Sequence, residues 1–259
     1  KNGINGNSQS FHHFIDENII RSKFKNIERP ILINNWEATY FDFNEEKLLP
    51  LVKKAKDLGM EMFVLDDGWF GHRNNSRSSL GDWTVNRKKF PQGLIHFAKL
   101  VHEQGMKFGL WFEPEMISHD SELYKKHPDY LMHVPGRMPS PSRHQYVLDL
   151  GRKEVRDEVF GQIDKILSSG QIDYVKWDMN RHLTDIYQAD LPIDKQGEVY
   201  HRYVLGLYDL LARITSKYDN ILFESCSSGG GRFDLGMAYY MQQTWTSDNT
   251  DAVARMKIQ

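Results

Sequence analysis

The densest chemical feature of this sequence is the run Lys176-Trp177-Asp178-Met179-Asn180-Arg181. It follows the apolar stretch Ile172-Asp173-Tyr174-Val175, so a carboxylate flanked by Lys, Trp, Asn and Arg stands where a buried strand is expected to end. A second acidic run, Thr246-Ser247-Asp248-Asn249-Thr250-Asp251, follows Gln243-Thr244-Trp245. Two acids at separate strand ends, each beside a Trp, point to chemistry on a sugar. A flat indole covers the C–H face of a sugar ring while acids act on its oxygens and its anomeric carbon.

Side chains alternate along a strand, so Lys176 and Asp178 share a face, and an ammonium beside an oriented carboxylate suits a glycosidic nucleophile. Asp248, three residues after Trp245, is the expected acid/base partner. Asp251 competes for that role, but it is expected in the following loop or first helical turn, where an acid favours the helix dipole. The bland alternative for Asp178 is an exposed loop acid.

Asp66-Asp67-Gly68-Trp69 supplies two adjacent acids at another strand end. They suit hydrogen bonding to neighbouring sugar hydroxyls. A metal site is the alternative, although no calcium-loop spacing accompanies them. Arg143 taken alone reads as a surface charge. Ser225-Cys226-Ser227-Ser228-Gly229-Gly230-Gly231-Arg232 is a glycine-rich loop without the Lys-Ser/Thr ending of a phosphate loop, and its small residues would let a ligand approach the backbone. A Cys226 nucleophile has no His partner placed by the sequence. The eleven His residues contain no HExxH pair, and His12-His13 reads as solvated. No metal or organic cofactor is expected.

These side chains need a scaffold that brings strand ends together. One unit recurs: a helix-ending glycine (Gly59, Gly105, Gly170), a short apolar strand, then an acid or acid pair (Asp66-Asp67, Glu113, Asp178). Strands are expected near residues 31, 61, 107, 172, 221 and 243. The first is read from Pro30 to Trp36 and the last from Gln242 to Ser247. Helices are expected from about Glu45 to Leu58, with Asn44 as N-cap, and from about Glu198 to Lys217. Strands alternating with helices imply a parallel sheet. Polar residues after nearly every strand favour an α/β fold of the (β/α)8 TIM-barrel type over a doubly wound sheet, because barrel strand ends all converge on one mouth. Six βα units are countable, and Ala252–Gln259 reads as a helix cut off mid-element, so the barrel is expected to be truncated.

The 259 residues carry 33 basic and 35 acidic side chains, which gives no reason to expect nucleic acid or an anionic membrane as partner. The single cysteine rules out an intrachain disulfide, and a cytoplasmic protein is the simplest reading. No apolar run reaches the length of a transmembrane helix. Residues 1–29 are polar and read as a leader or linker from a missing N-terminal domain, with residues 30–259 as the partial barrel. The sequence begins Lys1-Asn2-Gly3 without Met, and is expected to come from a longer chain.

Taken in order, Asn34-Asn35-Trp36-Glu37-Ala38, Asp66-Asp67-Gly68-Trp69-Phe70, Gly81-Asp82-Trp83, Trp111-Phe112-Glu113-Pro114-Glu115, Lys176 to Arg181, Cys226 to Gly230 and Trp245 to Asp251 resemble the catalytic domain of the glycoside hydrolase family 36 α-galactosidases. The resemblance covers roughly residues 30 to 259. It implies a retaining mechanism with Asp178 as nucleophile and Asp248 as acid/base. It also implies that Asp66 and Asp67 hold galactose hydroxyls. Trp36, Arg143, Lys176, Asn180, Cys226, Gly229 and Trp245 match other sugar-site positions. The substrates implied are α-galactoside oligosaccharides of the raffinose and melibiose type. Family members carry β-domains on either side of the barrel and often form homo-oligomers. An α-N-acetylgalactosaminidase, a raffinose-family galactosyltransferase and a non-catalytic galactose-binding fragment are the rival readings.

Overall fold

A computed structural model describes residues 3–20 and 23–258; Lys1, Asn2, Arg21 and Ser22 of the polar leader, and Gln259 of the terminal helix, lie outside the described residues. The described residues form eight strands: β1 (Leu32–Asn34), β2 (Met62–Leu65), β3 (Lys107–Phe112), β4 (Met116–Ile117), β5 (Tyr146–Val147), β6 (Tyr174–Trp177), β7 (Leu222–Ser225) and β8 (Gln243–Thr244). Six of them form one parallel sheet in the order β1-β2-β3-β6-β7-β8, at the six places the sequence pattern marks. The first and last are shorter than the sequence reading, because Trp36 already starts a short helix, Trp36–Thr39, and the chain leaves the ladder after Thr244. Strands β4 and β5 pair antiparallel within the long connection after β3.

The recurring glycines have a conformational reason. Gly59, Gly105 and Gly170 have φ of 86°, 71° and 68°, a region that residues with a Cβ avoid, and each turns a helix end into β2, β3 or the approach to β6. The helix Glu45–Asp57 shows the local logic. The Asn44 side chain accepts the Lys47 amide, Glu45 and Glu46 occupy the first turn, Lys54 and Lys56 the last, and Leu48, Val52 and Ala55 are buried. The helices Leu94–Glu103, Lys153–Leu167 and Val199–Lys217 bury stripes of the same kind against the sheet.

Strand alternation separates two layers. Phe63, Leu65, Phe108, Leu110, Phe112, Val175, Trp177 and Phe223 face the helices in the main core. Met62, Val64, Tyr174 and Leu222 form a separate apolar cluster on the other face. Two residues further along that second face come Asp66, Lys176 and Glu224, and then Asp178 and Cys226, so a polar layer caps an apolar floor. Residues from β1, β2, β3, β6, β7 and the segment after β8 line one cavity, so the sheet is curled around it.

The leader forms a helix, Gly3–Phe14, continued by a π-helical turn, Ile15–Ile19, and buries none of its residues. At the other end the helix Ala252–Ile258 follows Asp251. Among the described residues no helix is long and apolar enough to cross a membrane.

Candidate active site

The curled sheet leaves a cavity of about 430 Å³ at the C-terminal ends of the strands. Trp36, Asp66, Asp67, Arg143, Lys176, Asp178, Asn180, Trp245 and Asp248 all line it. Cys226 and Gly229 are not among the residues that line it.

Asp178 follows the last residue of β6, and its amide continues the ladder by donating to the Phe112 carbonyl at 2.8 Å. The carboxylate is held on several sides. Oδ2 accepts from Asn180 Nδ2 at 2.7 Å and from the Trp111 indole N–H at 3.1 Å, and Oδ1 accepts the Met179 amide at 2.9 Å. Burial, and then the nearby Asp178 charge, push the Cys226 thiol far up, which disfavours a thiolate at this position. The group is buried, with 5% of its surface exposed, and in contact with the cavity. It is not the exposed loop acid of the bland reading.

Lys176 shares the Asp178 face as expected, but its ion pair is with another acid. Its Nζ lies 3.0 Å from Asp66 Oδ2, across the cavity floor. Asp66 also accepts from Asn34 Nδ2 at 2.5 Å. Burial alone would lower the Lys176 pKa; Asp66, with Cys226, Asp178 and Glu224 behind it, more than offsets this, so the ammonium is held well above the usual lysine range. Asp67 is gripped by Arg73 in a fork, Nε to Oδ1 at 2.5 Å and Nη2 to Oδ2 at 2.7 Å. Each acid of the pair thus faces its own cation, which fixes the orientation of its oxygens. Among the described residues no group of three or more His, Cys, Asp or Glu stands close enough to hold a metal ion.

Asp248 belongs to the segment after β8. Trp245 anchors that segment, its amide donating to the Ser225 carbonyl at 2.9 Å and its indole N–H to Asp248 Oδ1 at 2.8 Å. Cations flank the indole, with Lys176 Nζ 5.4 Å and the Arg255 guanidinium 4.7 Å from the ring. Gly229 fits against this segment: at φ 95° it leaves room where a Cβ would come 3.0 Å from Ser247 Cα and 3.5 Å from the Asp248 nitrogen. Asp251 instead accepts the Ala254 amide at 2.8 Å and caps the terminal helix.

Trp36 stands at the rim, edge-on to Tyr40 and Phe41. Arg143 is exposed at the rim with φ 53°, in a tight turn closed by bonds between Ser142 and Gln145. Arg181, whose side chain donates to the Ser140 and Gln145 carbonyls, ties that turn to the end of β6.

Five residues escaped the sequence reading as site members: Trp111, Glu113, Asn34, Arg73 and Glu224. Strand parity was the available signal for most of them. Trp111 and Glu113 fall on the same alternate positions of β3 that carry Lys176 and Asp178 on β6, and Glu224 pairs with Lys176 in register. Arg73 had no such signal, because it reaches Asp67 from an irregular loop. Chemically, the cavity joins a multiply held carboxylate, a second acid from the segment after β8, an acid pair matched with cations, and indole faces. That set can bind a sugar and act at its anomeric carbon.

The melibiase family profile matches residues 1–259. Alpha-galactosidase 1 of Pediococcus pentosaceus and alpha-galactosidase Mel36A of Lactobacillus acidophilus are each 70% identical to this chain over 99% of its length and 35% of theirs. The crystal structure of an alpha-galactosidase from Lactobacillus brevis superposes with a TM-score of 0.95 at 57% identity, over 99% of this chain and 34% of that one. Variants of AgaA, a GH36 alpha-galactosidase of Geobacillus stearothermophilus, solved with raffinose and with stachyose, superpose equally well at 58% identity over 36% of that chain. The chain spans about a third of the length of the curated relatives it matches. A profile that fits from end to end, and identities this high over one shared fold, are the marks of common descent: the chain belongs to the melibiase family.

Proposed function

We propose that this chain is the catalytic core of a retaining α-galactosidase that removes terminal α-D-galactosyl residues from raffinose- and melibiose-type oligosaccharides. Asp178 attacks the anomeric carbon as Asp248 protonates the departing glycosidic oxygen. The bond to the leaving sugar breaks and a β-galactosyl ester forms on Asp178. Asp248, now a carboxylate, takes a proton from water, which displaces Asp178 and releases galactose with its original configuration. Retaining enzymes need the two carboxyl groups roughly 5–5.5 Å apart. Asp66 and Asp67 take neighbouring galactose hydroxyls, Lys176, Asn180 and Arg143 add donors, and Trp36 and Trp245 flank the ring.

One observation carries this reading: the fixed Asp178 carboxylate, Asp248 and the Asp66-Asp67 pair all face a single cavity. The AgaA complexes add support. The raffinose complex carries an Asp-to-Asn substitution and the stachyose complex an Asp-to-Ala one, and those two aspartates lie 70 positions apart in sequence, as Asp178 and Asp248 do here. We also take the curled sheet as six strands of an eight-stranded barrel that the rest of a longer protein closes, within a cytoplasmic homo-oligomer.

Azide rescue of the full-length protein tests the roles. Asp178→Gly with azide should yield the β-galactosyl azide, because azide enters from the face the carboxylate vacated. Asp248→Gly should yield the α-anomer by attack on the ester. Reversed anomers would overturn the assignment.

A further inference from the structure

Glu113 lies beside the nucleophile and has no part in the chemistry above. It follows the end of β3 and is 1% exposed. Its Oε1 accepts the Asn180 backbone amide at 2.6 Å and the Gln145 side-chain amide at 2.8 Å. The first bond matters because of where it falls. The β3–β6 ladder ends with Phe112 opposite Trp177, and the Asp178 amide makes its last bond, to the Phe112 carbonyl. Two residues on, the Asn180 amide has left the ladder, and the Glu113 carboxyl replaces a strand carbonyl as its acceptor. Asn180 in turn donates its side-chain amide to Asp178 Oδ2 at 2.7 Å. Trp111, two residues before Glu113 on the same strand face, donates to that same oxygen at 3.1 Å. One strand end therefore grips the nucleophile twice, directly through Trp111 and through the backbone of Asn180 by way of Glu113.

We infer that Glu113 is a positioning residue: by anchoring the Asn180 peptide it aims the Asp178 carboxylate at the anomeric carbon. The inference rests on Asp178 being the nucleophile. It assigns Glu113 an acceptor's role and gives its charge no part. Burial, and then the like charge of Asp178 at the end of β6, raise the Glu113 pKa to about 7, against the pull of Arg73 from the loop after β2 and of the Asn180 and Gln145 donors. Below that pH a neutral carboxyl already fills the site, and its carbonyl oxygen can accept both N–H groups.

Three variants of the full-length protein separate acceptor position from charge: Glu113→Gln keeps the reach and an acceptor oxygen without charge, Glu113→Asp keeps the charge but withdraws it by one methylene, and Glu113→Ala removes both. Rapid-mixing measurement of the first galactosyl transfer from an aryl α-galactoside, with KM, reads the effect. Displacing the nucleophile by a fraction of an ångström should lower the transfer rate about 10- to 100-fold in Glu113→Asp and Glu113→Ala, with KM within about threefold of wild type. Glu113→Gln should stay within about threefold of wild type in both constants. The inference is overturned if Glu113→Asp transfers at the wild-type rate, if Glu113→Gln falls as far as Glu113→Asp, or if the losses lie in KM. Should Glu113→Ala fail to fold, the contrast between Gln and Asp decides alone. An Asp178→Gly protein that kept its activity would instead remove the reading on which the inference rests.

Discussion

Replacing Arg232 by Met should destabilise the fold by an amount that grows with pH. Glu115 has no exposed surface, and Arg232 holds it in a fork, Nη2 to Oε1 at 2.7 Å and Nη1 to Oε2 at 2.9 Å. The Trp177 indole at 3.0 Å and the Tyr203 hydroxyl at 2.6 Å complete the shell. Burial works to raise the Glu115 pKa, and Arg232 and these donors together overcome it, so the group ends below its ordinary 4.5. A depressed carboxyl stabilises the fold above the ordinary value and loses that contribution as pH falls through the folded one. In Arg232→Met the burial cost is left to two neutral donors, the pKa rises above the ordinary value, and stability falls as pH climbs. Breaking one side of a buried pair costs about 3–5 kcal/mol, and partial exposure of Arg232 puts this case near about 3 kcal/mol at pH 8. Urea unfolding of the full-length protein at pH 5 and pH 8, followed by tryptophan fluorescence, measures the gap from wild type. It should widen between the two pH values. A gap below about 1 kcal/mol at pH 8, or one that narrows as pH rises, would refute the reasoning.

Three further outcomes follow from the same geometry. Gly229→Ala, at φ 95° and with a Cβ 3.0 Å from Ser247 Cα, should displace Asp248 and lower kcat/KM on raffinose about 10- to 100-fold, with much less loss on an aryl galactoside whose leaving group needs no proton; a Brønsted series checks this. Asp66→Asn removes the charge that pairs Lys176 and should lower kcat/KM about 10- to 100-fold, as expected for a charged hydrogen bond of about 1.5–3 kcal/mol, with galactose inhibition weakened in parallel. Glu113, held near 7 by burial, is a carboxyl raised above its ordinary 4.5, so the fold binds its proton more tightly than the unfolded chain and stability falls between about pH 4.5 and 7. Glu113→Gln should flatten that decline, and urea midpoints across the window read it.

Period and punctuation made the scaffold legible. Glycines at the helix ends, the short apolar strands that follow them, and the Asn44 cap all act locally, so the sequence carries them in plain view. The acids were legible for the same reason, since each stands at the end of a strand pattern. What each acid meets was not. Lys176 is two residues from Asp178, yet its ammonium pairs with Asp66, 110 positions away. Arg73 comes to Asp67 from a loop with no periodicity, and Arg232 reaches Glu115 across 117 positions. Such partners are set by the curl of the sheet, which brings distant strand ends within a few ångströms. Parity along β3 could have pointed to Trp111 and Glu113, because it puts them on the face that carries Asp178. The leader helix Gly3–Phe14 escaped because its polar, Asn- and Ser-rich composition resembles a loop and it buries none of its residues.

The central claim is that Asp178 becomes esterified to galactose. A slowly released fluorinated α-galactosyl fluoride, incubated with the full-length protein and followed by proteolysis and mass spectrometry, tests it most directly. The account predicts one fluorogalactosyl group, on Asp178, and its absence from Asp178→Gly. A label on Asp248 or any other residue, or turnover without a trapped ester, would contradict it.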